Sequence, residues 1–104
     1  MIRKTFVMQL KRGAEEEYRS RHNPIWNDLE EVLRTHGVHN YSIALHPETS
    51  ELFAYAEVED EDRWNAIAGT PVCRRWWDYM SDMMEVNADR SPRAVELLEV
   101  FHLE

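Results

Sequence analysis

Two segments of this chain are apolar on both sides of a β-strand, and 104 residues leave little material to cover them. Between Leu52 and Val58 one side carries Leu52, Ala54, Ala56 and Val58, while the other carries Phe53 and Tyr55. Between Val95 and Leu103, Leu97, Phe101 and Leu103 oppose Leu98 and Val100 in the same way. Side chains alternate across a strand, so a single layer of helices buries only one of the two sides. Either a second copy of the sheet covers the remaining side, or a large ligand cavity lies over it in a monomer. A homodimer through the sheet face is the expectation, because apolar surface removed from water contributes about 25 cal/mol per Å².

The periodicity supplies the rest of the architecture. Ile2 to Leu10 alternates as a strand, with Ile2, Phe6, Met8 and Leu10 on one face, before Lys11-Arg12-Gly13 turns the chain. From Ala14 to Thr35 the spacing changes to three and four, through Tyr18, His22, Ile25, Trp26, Leu29, Val32 and Leu33, and Gly37 follows as a stop. Pro24 interrupts this helix: it kinks there, or it breaks, with Asn23 capping a second segment that starts at Pro24. Val38 to Leu45 reads as a strand with His39, Tyr41, Ile43 and Leu45 on one face, and His46 to Ser50 as the turn into a third strand, Leu52 to Val58. A short helix begins at Asp60 to Asp62 and stops at Gly69; another opens on Thr70-Pro71 and runs to about Met84. Val95 to Leu103 is the last strand. The order β-α-β-β-α-α-β is an α+β, ferredoxin-like arrangement with an antiparallel sheet, in one domain spanning residues 1–104.

Charge and composition exclude several functions. Twenty Asp and Glu against twelve Lys and Arg give a formal charge of −8, the wrong sign for nucleic acid or an anionic membrane surface. No apolar run approaches the roughly 20 residues of a membrane span. The opening MIRKTF lacks the apolar run of a secretory signal and Cys73 is the single cysteine, so a reducing cytoplasm is the expected setting. Three glycines and no phosphate-binding loop argue against nucleotide chemistry. His36 and His39 form an HxxH, but Gly37 lies between them and no carboxylate or cysteine sits at ligand spacing, so no metal is expected. Cys73 reads as a small core residue, and the runs Glu15 to Glu17 and Glu57 to Asp62 as solvated faces.

Two places carry chemistry. Tyr18 and His22 are one helical turn apart, so both project from one face beside the Pro24 irregularity. Histidine titrates near neutrality, at about 6.5, and tyrosine combines a hydroxyl with an apolar ring. The pair either lines a cavity as a proton-transfer site or buries its rings against the sheet. Trp76 and Trp77 are adjacent, about 100° apart on a helix. They are either core or a flat aromatic wall with N–H donors at its rim, a surface suited to a sugar ring.

These residues lie in longer motifs. MIRKTFVMQL, EEYRSRHNPIWNDLEEVLRTHGVHNYSI and RWNAIAGTPVCRRWWDYM together resemble the L-rhamnose mutarotase family over nearly the whole chain. The resemblance implies a dimeric α+β barrel and a cofactor-free enzyme that interconverts the α and β anomers of L-rhamnose. It implies His22 as catalytic proton donor, with Tyr18, Tyr41, Trp76 and Trp77 as sugar contacts. The turn His46 to Ser50 and the stretch Arg93 to Glu104 match least. Two rival readings share the fold class or the tryptophan wall: a cofactor-free monooxygenase or haem protein, and a non-catalytic sugar-binding module.

Overall fold

The chain begins in the extended form that its alternation dictates. In the computed structural model, which describes residues 1–104, β1 spans Ile2–Gln9 and its Met8 is buried beneath the helices. Leu10 is 1% exposed and continues the line through an isolated bridge to Met84. After Gly13, whose positive φ of 92° forms the turn, α1 (Glu15–Arg21) carries three glutamates in its first turn and two arginines in its last. That charge order complements the helix dipole.

The helix expected from Ala14 to Thr35 is broken at Pro24, not merely kinked. The second segment, α2 (Asn27–Thr35), starts three residues later than the proline, and the Asn23–Pro24 peptide is cis. Asn23 does not cap α2. Its side-chain amide donates to the Arg19 carbonyl at 2.7 Å, so it closes the end of α1 instead. The cap position of α2 is Trp26, whose side chain makes no capping bond.

Strands β2 (Val38–Leu45) and β3 (Glu51–Val58) form the expected hairpin. Their register exposes one irregularity, between His39 and Ser42, where Asn40 adopts a positive φ of 47°. This bulge reverses the alternation. His39 pairs with Glu57 on the outer side of the sheet, whereas Ile43 pairs with Ala54 and Leu45 with Leu52 on the helix side. His39 therefore does not share a face with Tyr41, Ile43 and Leu45 as simple alternation requires. It bonds Glu59 at 2.6 Å on the surface.

The second crossover comes in two helical pieces, α3 (Glu61–Ala66) and α4 (Pro71–Met80), joined by a single 3₁₀ turn. Asp60 and Thr70 cap them, accepting from the backbone N–H groups of Arg63 and Cys73, and Pro71 occupies the first position of α4. The helix stops at Met80 rather than Met84, and the buried Met83 and Met84 follow in a loop that pairs with residues 9 to 11 at the end of β1.

The last strand, β4, is Ala94–Glu96, far shorter than Val95 to Leu103. β4 runs antiparallel to β1, Glu96 opposite Phe6, and stops although β1 continues to Ile2, because nothing in the chain buries the residues that follow. One further ladder bond, Leu97 N–H to the Thr5 carbonyl at 2.8 Å, follows before pairing ceases. Beyond it Leu98, Val100, Phe101 and Leu103 are 79% to 94% exposed. The four strands lie in the order β2-β3-β1-β4, all neighbours antiparallel, which is the ferredoxin-like sheet. Leu52, Ala54, Ala56 and Val58 are at most 1% exposed on its helix side; Phe53 on the outer side is 39% exposed. The two-sided character of β3 thus places one side in the core and leaves the other open.

Candidate active site

The helices do not lie flat on the sheet. Between α1, α2, α4 and the helix side of the strands is a cavity of about 1120 Å³. The break at Pro24 borders it, with Asn23 and Ile25 among the lining residues, and α1 buries only Tyr18. Tyr18, His22, Tyr41, Trp76 and Trp77 all line this one space, although they come from α1, the loop after it, β2 and α4.

His22 is the centre of the arrangement. It occupies the C-cap of α1, and its Nδ1 lies 2.8 Å from the Tyr18 carbonyl. A carbonyl only accepts, so Nδ1 carries the proton and donates, which leaves Nε2 as the ring's other exchange position. Burial lowers the His22 pKa, against the opposing pull of the Tyr18 carbonyl. The imidazole stacks on Tyr18 at 4.2 Å between centroids and meets the Trp76 ring edge-on at 5.2 Å. Trp26 packs edge-on against the same indole at 5.0 Å. The ring is thus held from three directions.

Both tyrosines are held in their neutral form. Tyr18 is 8% exposed, and desolvation raises its pKa, with a smaller contribution from Tyr41. Desolvation of its hydroxyl in the cavity likewise raises the pKa of Tyr41, although the residue as a whole is 37% exposed; its ring leans against Phe6 at 6.4 Å and Trp64 at 6.1 Å. At neutral pH each phenol is both a donor and an acceptor, the pairing a sugar hydroxyl requires. Tyr41 faces inward with Ile43 and Leu45, and the Asn40 bulge before it turns His39 to the outer side.

The two readings of the tryptophan pair are not exclusive. Trp76 is 8% exposed and belongs to the main apolar cluster, yet it also lines the cavity; Trp77 is half-buried beside it, with the Arg74 guanidinium 5.1 Å from its ring centroid. Cys73 faces the same space, but burial pushes its thiol up to about 11, so it is an apolar lining group and not a nucleophile. His36 and His39 do not converge. The first bonds the Val32 carbonyl at 2.7 Å, the second Glu59, and no three His, Cys, Asp or Glu side chains are grouped to hold a metal ion.

Residue spacing missed three contributors. Phe6 and Trp64 form the far wall against Tyr41, and Trp26 backs Trp76. The signal for Phe6 was its place on the Met8 face of β1; nothing in the spacing links Trp26 to Trp76. The acidic runs are also less idle than solvated faces. Glu15 accepts from the Gly13 N–H and the Ser50 hydroxyl, pinning the start of α1 to the β2–β3 turn.

A ferredoxin-like sheet holding an aromatic-walled cavity around a single histidine defines a small α+β enzyme of acid–base chemistry on a neutral, hydroxylated ligand. The comparisons with known proteins narrow this. The L-rhamnose mutarotase family model matches residues 3–103. An L-rhamnose mutarotase of Opitutus terrae is 60% identical over 104 residues, all of both chains, and one of Shigella flexneri serotype 5b is 59% identical over 103 residues, 99% of each. The crystal structure of L-rhamnose mutarotase from Formosa agariphila superposes with a TM-score of 0.93 at 38% identity, covering all of both chains. A protein from Nitrosomonas europaea described as an antibiotic biosynthesis monooxygenase shares the fold alone, with a TM-score of 0.64 at 16% identity over 96% of this chain and all of that one. The chain belongs to the L-rhamnose mutarotase family. Mutarotases are isomerases acting on carbohydrates.

Proposed function

We propose that this chain interconverts the α and β anomers of L-rhamnose, with His22 transferring the proton at the ring oxygen. The observation that carries the reading is the convergence of Tyr18, His22, Tyr41, Trp76 and Trp77 on one cavity. Opening a cyclic hemiacetal requires one proton given to the ring oxygen and one taken from the anomeric hydroxyl. The C1–O5 bond breaks, the aldehyde rotates about C1–C2, and reclosure on its other face reverses both transfers. The electron count is unchanged throughout, so two proton-exchanging groups suffice and no cofactor is needed. His22 donates as imidazolium. Its desolvated setting, which disfavours the charged ring, makes that donation easier and leaves a neutral imidazole that takes the proton back. Tyr18 and Tyr41 hold hydroxyls as neutral phenols, and the anomeric proton passes to water, directly or relayed through one of those phenols as it hands on its own. The Trp76 and Trp77 faces stack on the apolar side of the pyranose.

The enzyme acts as a homodimer through the outer face of the sheet, with residues 1–104 as one domain and the cytoplasm as its compartment. Support for the dimer is the open apolar surface of Phe53, Val95 and the residues after Leu97.

Saturation transfer between the α and β anomeric protons of L-rhamnose tests the activity. Wild type is expected to accelerate exchange and His22→Ala to lose about 10²–10⁴-fold, the usual worth of a positioned acid or base. Equal rates in both would move the acid elsewhere, and a folded wild type without exchange would end the reading for this sugar.

A further inference from the structure

The helix that carries Tyr18 and His22 is poorly anchored by burial. It has seven residues, only Tyr18 of them buried, and the chain leaves helical form directly after His22. One buried ring does not fix the rotation or slide of so short a helix. Yet proton transfer to a bound sugar needs the imidazole held to a fraction of an ångström.

The residue next to the histidine supplies what burial does not. Arg21 Nε donates to Glu17 at 2.9 Å, one turn back on α1. Its Nη1 donates to the Tyr79 carbonyl at 2.7 Å and to Asp82 at 3.1 Å, and Nη2 reaches the other Asp82 oxygen at 3.5 Å. The guanidinium also lies 4.3 Å from the Tyr79 ring centroid. Its side chain is 15% exposed, against 74% for Arg34, which makes an ordinary surface pair with Glu30. Tyr79 then packs on Trp76 at 5.7 Å, and Trp76 meets the His22 ring. The contacts form a closed circuit from Arg21 through the end of α4 to the face of His22, the residue that follows it.

We infer that Arg21 is a positioning residue for the reaction, clamping the last turn of α1 to the C-terminal end of α4 so that the His22 imidazole faces the cavity against Trp76. The inference rests on the reading of His22 given above. Arginine is needed because a planar fork serves a carboxylate, a carbonyl and an aromatic face together; an ammonium is a point charge without that shape.

The test uses Arg21→Met and Arg21→Lys, with His22→Ala and Arg34→Met alongside, in anomer-exchange kinetics and in NMR titration of the His22 ring. Displacement of a reacting group by about 1 Å costs up to about 10²-fold, so kcat is expected to fall roughly 10- to 100-fold with KM changed less than about threefold. Arg21→Lys should behave like Arg21→Met although the charge is kept, and in both the His22 pKa should rise toward its ordinary value as the ring gains water. Arg34→Met should match wild type. Should Arg21→Met fail to fold, Asp82→Asn, which keeps the shape and removes the anionic partner, is expected to lower kcat in the same sense. Wild-type kcat and His22 titration in folded Arg21 variants, or full rescue by lysine, would overturn the inference and leave the role of His22 standing. Undiminished exchange in His22→Ala would remove both.

Discussion

At the scale of the residue, the proposed chemistry rests on how one imidazole is desolvated and held. Burial lowers the His22 pKa below its ordinary value of about 6.5. If the imidazolium is the donor, the active fraction is the protonated one, so the sign is fixed. His22-dependent exchange should fall as pH rises above that depressed pKa and level off below it. Subtracting the His22→Ala rate at each pH from 5 to 8 gives the curve, and a rate that instead falls toward acid would make His22 the base. Tyr18→Phe removes a neutral hydroxyl while keeping the ring on which His22 stacks at 4.2 Å. Its main effect should be a KM raised about tenfold, near the worth of one hydrogen bond, read from initial rates over a range of L-rhamnose concentrations. The candidate residues themselves were legible in the sequence. Their one-turn spacing put Tyr18 and His22 on one face, adjacency marked Trp76 and Trp77 as core or aromatic wall, and motif resemblance added Tyr41. Trp26 and Arg21 were not legible, because their importance lies in contacts to Trp76, Tyr79 and Asp82 fifty or more positions away.

Individual elements are positioned by their ends and irregularities. The Asn40 bulge, which sets Tyr41 and His39 on opposite sides of the sheet, needs a positive φ that glycine tolerates and a β-branched residue does not. Asn40→Gly should therefore keep the KM for L-rhamnose near wild type, whereas Asn40→Val should raise it and lower Tm; equal behaviour of the two would show that the backbone angle is not what matters. Thr70 caps α4 through the Cys73 N–H and also donates its hydroxyl to the Ile67 carbonyl at 2.7 Å. Thr70→Ala should cost about 1 kcal/mol in chemical denaturation. Period-two and period-3.6 patterns marked every strand and helix, including the split crossover, since each element buries one face. Three boundaries lay beyond that signal. Pro24 announces an interruption without saying whether Asn23 closes the helix behind it or opens the one ahead. A bulge adds a residue without disturbing composition. β4 ends while β1 still runs on to Ile2, because no element covers the residues after Leu97, and their alternation does not reveal that.

For the molecule as a whole, the sheet's outer face sets the oligomeric expectation. Phe53 and Val95, with the residues after Leu97, leave apolar surface in water that no element of the same chain covers. Phe53→Glu, at the middle of that face, should shift the protein toward monomer in light scattering while leaving its secondary structure unchanged by circular dichroism; an unaltered dimer would place the contact elsewhere. The cavity has an optical consequence as well. Three of the four tryptophans, Trp64, Trp76 and Trp77, line it, and the fourth, Trp26, touches Trp76. Anomers of a sugar carry no chromophore and differ by a single configuration, so their interconversion is silent to absorbance. Occupancy need not be silent: L-rhamnose bound as proposed would displace water from the indole faces, so titrating it in is expected to change the intrinsic fluorescence, and the chain would report its own filling without a label.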